Sequence, residues 1–236
     1  LRIRPVAPLS EVAVVIVAYN AAATIEQVLA RIPTTVAERV GAVLVSDDCS
    51  HDNTSEAAGR GASTHQNINV VVLRQPTNLG YGGNQKFCYE WARGRGLRYA
   101  LMIHGDGQYA PELAMAMLEP LLIGTAHAVF GSRIMTRGGA RLGGMPRYKY
   151  IGNRVLTCIQ NRLTGLRLSE WHSGYRAYDL VALDPARLAA MSDDFDFDTE
   201  IILELARTGA RIAERPIPTR CGDEKPRVGG IREARG

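Results

Sequence analysis

The run VAVVIV at residues 12–17 is continuous and mostly β-branched, the composition of a strand buried on both faces. A helical spacing follows over residues 22–32 through Ile25, Val28, Leu29 and Ile32, and Pro33 stops it. The same alternation then repeats along the chain. Strands are expected at 42–45, 69–73, 99–103 and 126–130. Helices are expected near 54–60, over 81–95 and after Pro111, a residue suited to a first helical turn. Strands alternating with helices predict right-handed crossovers and a largely parallel sheet. Ligands of such sheets bind beyond the carboxyl ends of the strands. That rule singles out residues 18–21, 46–50, 76–83, 104–111 and 131–133.

The second half is less regular. A glycine- and arginine-rich loop at 138–144 precedes a helix over 149–163. A strand-like run lies at 177–182, an amphipathic helix at 199–208, and a last strand at 211–214 leads into a proline-containing tail. One α/β domain is expected over 1–236. Residues 10–133 would form its regular half, and 134–236 a less regular half with a flexible tail.

Composition narrows the function classes. The 236 residues are 46% hydrophobic and 22% charged, which excludes disorder, collagen-like repeats and coiled coil. The apolar runs are far shorter than the ~20 residues of a membrane span, and no signal-peptide pattern opens the chain. Four cysteines without CxxC spacing argue against a zinc site or disulfide framework and for a reducing, cytoplasmic setting.

The charge is unevenly placed. Net charge is +4 overall, yet residues 131–176 hold nine bases (Arg133, Arg137, Arg141, Arg147, Lys149, Arg154, Arg162, Arg167, Arg176) and one acid, Glu170. So basic a segment in an otherwise acidic chain implies an anionic partner or, more blandly, a solvated helix face. Stacking aromatics do not run through it, so nucleic acid is not expected. An anionic membrane surface, approached peripherally from its inner face, fits better.

Three strand-end segments carry chemistry. HGDGQ at 104–108 presents an imidazole, a carboxylate and an amide together, with glycines permitting close approach. Such oxygen-rich ligands suit Mg2+ or Mn2+, although His104 and Asp106 would equally cap the following turn. SDDCS at 46–50 places two carboxylates where they would meet a ribose or base, or would cap a helix. NLGYGGN at 78–84 is a glycine-rich loop entering a helix. It is suited to phosphate through its backbone N–H groups, or to tight packing alone. It matches neither a Walker A loop nor a dinucleotide fingerprint.

Taken in order, VVIVAYN, VSDDCSHDNT, NLGYGGNQ, HGDGQYAPE, GSR, SGYRAY, FDFDTE and IPTRCGDEK resemble a family 2 glycosyltransferase of GT-A fold, in the branch of dolichyl- or polyprenyl-phosphate sugar synthases. The resemblance covers about residues 10–230. It implies a Rossmann-like, mostly parallel sheet and a nucleotide-sugar donor, bound by residues 10–133, with 134–236 on the acceptor side. The donor site it implies contains Val17, Tyr19, Ser46, Asp48, Gly80, His104, Gly105, Arg133, Arg220 and Lys225. Asp106 aligns with the second aspartate of the family's DxD metal motif, with Gln108 and His104 as its companions. Asp106, Arg133 and Arg176 are the implied catalytic residues, and Tyr175 and Arg176 are expected beside the acceptor.

Three positions depart from the family pattern. Val17 replaces a proline, Asn20-Ala21 replaces Asn-Glu, and His104 replaces the first DxD aspartate. The implied reaction inverts the anomeric carbon. A lipid-phosphate acceptor would need no base, whereas a hydroxyl acceptor would need one, for which Glu170 and Asp198 are the candidates. A soluble hydroxyl-glycosylating enzyme, a nucleotidyltransferase and an inactive sugar-nucleotide-binding module are the rivals.

Overall fold

The computed structural model describes residues 6–64, 68–136 and 143–219. Its strands are β1 (Val12–Ala18), β2 (Ala42–Asp47), β3 (Val70–Arg74), β4 (Tyr99–His104), β5 (Ala128–Ser132), β6 (Arg176–Asp179) and β7 (Ile212–Pro216). Among the described residues they form one sheet in the order β3-β2-β1-β4-β6-β5-β7. All neighbouring pairs are parallel except the two made by β6.

The helices are α1 (Ile25–Ala30), α2 (Thr34–Ala37), α3 (Thr54–Ser63), α4 (Gly80–Gly94), α5 (Ala114–Leu122), α6 (Arg147–Thr164), α7 (Pro185–Ala190) and α8 (Phe197–Arg207). Strand β1 is buried along its whole length. Val12, Val14 and Ile16 join one core with α1, α3 and α5, while Ala13, Val15 and Val17 join a second with α4 and α8. A continuous β-branched run is what two-sided burial requires.

Several expectations are corrected. The helix expected over 22–32 is shorter, and a separate turn of helix, α2, starts directly after Pro33. The run at 177–182 is a four-residue strand followed by a 3-10 turn at Leu180–Ala182. Helix α7 was not anticipated, though its signal is present: Pro185 at the first turn and Asp184 accepting the N–H of Ala186.

Strand β6 runs antiparallel between β4 and β5. The chain from the end of β5 to the start of β6 therefore leaves and re-enters the sheet at the same edge. That edge is the carboxyl edge of the parallel strands. Helix α6 and the loop 165–175 are consequently built beside the ligand-binding end.

Candidate active site

The loops after β1 and β2 are locked to each other. The Asn20 N–H donates to Ser50 Oγ, Ala21 N–H to Thr54 Oγ1, and Ala22 N–H to Asp52 Oδ2, at 2.9, 2.8 and 3.1 Å. Asn20 and Cys49 adopt left-handed backbone conformations in these turns, at φ 51° and 58°. Tyr19 stands exposed at the rim, edge-on to His51.

Asp48 is buried and accepts the Leu79 N–H at 2.7 Å. Burial pushes its carboxyl above the ordinary value, against the pull of the Leu79 and Gly80 N–H groups. Its neighbour Asp47 is spent on Ser50 and Ser55.

Three expected donor contacts sit differently. Ser46 has no exposed surface. Its hydroxyl lies 2.5 Å from Asn84 Oδ1 and 2.9 Å from Gln75 Nε2, so it braces the floor from behind. Val17 is core, and its carbonyl accepts the Gly105 N–H at 2.9 Å. Gly80, at φ 79°, opens α4 in a loop four of whose backbone donors have partners within the protein. The Leu79 N–H goes to Asp48, Gly80 N–H to Asn78 Oδ1, and Gly82 and Gly83 N–H to the Asp193 carbonyl. The loop's glycines serve close packing against 192–194.

HGDGQ lies at the centre. Gly105 permits near contact with β1, since a Cβ there would lie 3.0 Å from the Ala18 side chain. Asp106 is exposed, one oxygen accepting the Gln108 N–H at 3.0 Å. The His104 ring is held edge-on between Tyr81 and Tyr109, with centroids at 5.5 and 5.0 Å. Burial pushes its pKa down, outweighing the pull of Asp106 and Asp198, so the imidazole is neutral near pH 7.

Among the described residues no group of three or more His, Cys, Asp and Glu side chains could hold a metal. One carboxylate, one amide oxygen and one imidazole fit Mg2+ or Mn2+ only as part of a shell completed by phosphate oxygens and water.

Arg133 and Glu170 form the next wall. The Arg133 backbone N–H and two guanidinium nitrogens all reach the Glu170 carboxylate, and Nη2 also donates to the His172 carbonyl at 2.9 Å. Glu170, with no exposed side-chain surface, also accepts from Asn153 of α6 at 2.9 Å. His172, unremarked in the sequence, stands at the rim beside Arg133. Its partial burial lowers its pKa.

Arg176 is not at the surface. It is 1% exposed, stacked on Phe130. It donates to the carbonyls of Ser173, Asp198 and Trp171 at 2.7, 2.8 and 2.9 Å and pairs with the Asp198 carboxylate at 3.4 Å. A side chain so occupied organises the wall from inside. It has no face left for an acceptor. Tyr175 is fully buried as well. Arg220 and Lys225, with Arg137 and Arg141, lie outside the described residues.

The crossover sheet thus carries the Asp106 carboxylate just beyond β4 and Arg133 just beyond β5, both at its carboxyl edge. The family model of glycosyl transferase family 2 matches residues 13–181, and the chain belongs to that family. It is 26% identical over 196 residues to the polyprenol monophosphomannose synthase of Mycolicibacterium smegmatis, covering 81% of this chain and 72% of that one. It is 27% identical over 150 residues to a UDP-N-acetylglucosamine–dolichyl-phosphate N-acetylglucosaminyltransferase of Methanococcus voltae, covering 64% and 59%.

The chain spans 81% of one relative, an uncharacterized protein of Methanocaldococcus jannaschii, but only 32% of another, the glycosyltransferase AglD of Haloferax volcanii. Among solved structures, the glucosyl-3-phosphoglycerate synthase of Mycobacterium tuberculosis with Mg2+ and UDP superimposes with TM-score 0.65 at 21% identity, covering 91% of this chain and 72% of that one. The fold is GT-A.

Proposed function

We propose that this chain transfers a sugar from a nucleotide-sugar donor to a polyprenyl or dolichyl phosphate, with inversion, while resting on an anionic membrane surface. The observation that carries the reading is helix α6. Its inward face is polar: Asn153 reaches Glu170, Thr157 reaches Asn153, and Asn161 bonds Leu168 and Trp171. Its outward face is apolar. Tyr148, Ile151, Val155, Leu156, Ile159 and Leu163 are all at least half exposed, Leu163 at 81%.

At ~100° per residue these six share one side. Arg147 and Arg154 lie on one shoulder of that side and Lys149 on the other, all exposed. Inverted amphipathicity flanked by bases suits a helix lying in the headgroup region of an anionic leaflet. Among the described residues no helix is long and apolar enough to cross a membrane. The names of the two relatives above, both transferring to polyprenyl or dolichyl phosphates, support the same acceptor class.

The site chemistry agrees. Glu170 is committed to Arg133 and Asn153, and Asp198 to Arg176 and Tyr81. Neither carboxylate is left as a base, and an ionised lipid phosphate requires none. Mg2+ or Mn2+, bound through Asp106, Gln108 and His104, would supply charge neutralisation to the departing nucleoside diphosphate. Arg133, its guanidinium plane fixed by Glu170, would face the phosphate at the reacting centre, joined by Arg220 and Lys225. Tyr19 and Asp48 would hold the nucleoside.

One observation favours a second reading, transfer to a hydroxyl. His172 is exposed at the rim, its backbone carbonyl accepting from Arg133 and its imidazole pKa lowered by partial burial, and it would take the proton.

The test offers UDP-, GDP- and dTDP-sugars with Mn2+ to the protein, with short polyprenyl phosphates or soluble hydroxyl acceptors. Lipid phosphate should be the acceptor used, and His172→Ala should leave that transfer intact. Binding to phosphatidylserine vesicles should be salt-sensitive. It should fall at least tenfold in Ile151→Asp/Val155→Asp, with donor affinity unchanged. Efficient glycosylation of hydroxyls with lipid phosphates ignored, and loss of that activity in His172→Ala, would establish the second reading instead.

A further inference from the structure

Tyr81 is the residue at this centre that the family pattern leaves without a role. Its hydroxyl lies 3.0 Å from Asp198 Oδ2 and 3.1 Å from His104 Nε2. Asp198 is ion-paired with the fully buried Arg176 at 3.4 Å and also faces Gln85 Nε2 at 3.4 Å. An ionised carboxylate only accepts, so the single hydroxyl proton of Tyr81 must go to Asp198. The Tyr81 oxygen is then an acceptor toward His104, and the Nε2 of a neutral imidazole must carry the ring proton. The ring's lone pair is left on Nδ1, for which no hydrogen-bond partner exists among the described residues.

The ring cannot easily turn over. Tyr81 and Tyr109 pack against it edge-on. Its Cε1–Nε2 edge lies against Gly174, where a Cβ would come within 2.6 Å of both atoms.

We propose that Tyr81, anchored by Asp198, is a positioning residue that fixes the Nε2-protonated tautomer of His104 and so presents Nδ1 as an electron-pair donor to a divalent cation. This rests on the metal reading of Asp106, Gln108 and His104 given above. An aspartate at position 104 would need no such device, because a carboxylate has no tautomers. A histidine there does need one, since the wrong tautomer offers the cation an N–H. The arrangement is the general one in which a ligating imidazole donates its second ring nitrogen's proton to a fixed acceptor.

The experiment combines two measurements on the full chain. Ring 15N NMR of histidine-labelled protein reads the tautomer without metal. His104 should show a protonated Nε2 and a bare Nδ1, and Tyr81→Phe should produce a mixture of the two forms. Mn2+ affinity in the presence of UDP, read by electron paramagnetic resonance, should weaken about tenfold in Tyr81→Phe. In a His104→Asp background the same Tyr81→Phe change should leave Mn2+ affinity within twofold. An equal loss in both backgrounds, or an unaltered His104 tautomer in Tyr81→Phe, overturns the proposal, as does wild-type protein that binds no Mn2+ with UDP. Intact tautomer and Mn2+ results with no transfer to lipid phosphate would refute only the acceptor reading.

Discussion

Arg176→Met separates a structural from a substrate-contacting role for the arginine of SGYR. The methionine keeps much of the stem's volume and removes the guanidinium. Lost with it are hydrogen bonds to three carbonyls, at 2.7–2.9 Å, and the pairing with Asp198. At 1% exposure no water replaces these partners. Breaking a buried pair by removing one member costs ~3–5 kcal/mol, because the remaining charge is left uncompensated. For a chain of 236 residues, each kcal/mol moves Tm by ~2–4 °C, so Tm should fall by about 6–20 °C.

Circular-dichroism melts measure this directly. Arg176→Met/Asp198→Leu should recover part of the loss, since it removes the orphaned carboxylate. A single variant melting within ~2 °C of wild type, with transfer alone abolished, would refute the burial argument and return Arg176 to the acceptor site.

Asp48 has its pKa raised in the folded state. The stability penalty of ionising it therefore grows as pH rises from its unfolded value through the folded one. Asp48→Asn, which still accepts the Leu79 N–H, should match or exceed wild-type stability at pH 7 in urea titrations, lose that advantage toward pH 4, and bind nucleotide more weakly. Gly82→Ala would place a Cβ 2.5 Å from the Ser192 carbonyl oxygen and 2.7 Å from the Phe197 side chain; it should cost ~1–3 kcal/mol in the same assay. Gly59→Ala, mid-helix with open space around the new methyl, should instead stabilise by ~0.4–1 kcal/mol.

The sequence by itself determined the sheet and its ligand edge. The β-branched run of β1 requires burial on both faces, and the repeated strand–helix spacing forces parallel crossovers, so residues 18–21, 46–50 and 104–108 had to converge. These are local and periodic signals, and each element states its own environment. What the tertiary structure alone decided is which polar groups at that edge are already spent. Nothing local says that Gly82 and Gly83 of NLGYGG give their N–H groups to Asp193, more than a hundred residues onward, or that Ser46 faces Asn84. Nor does SGYR reveal that its arginine is swallowed by Asp198. Hydrogen-bond partnership is a property of distant segments brought together, and a motif lists only donors and acceptors. Helix α6 shows the converse. Its helical span was legible, but only its polar attachment to Glu170 and Trp171 turned its apolar stripe outward, where the described residues leave it exposed.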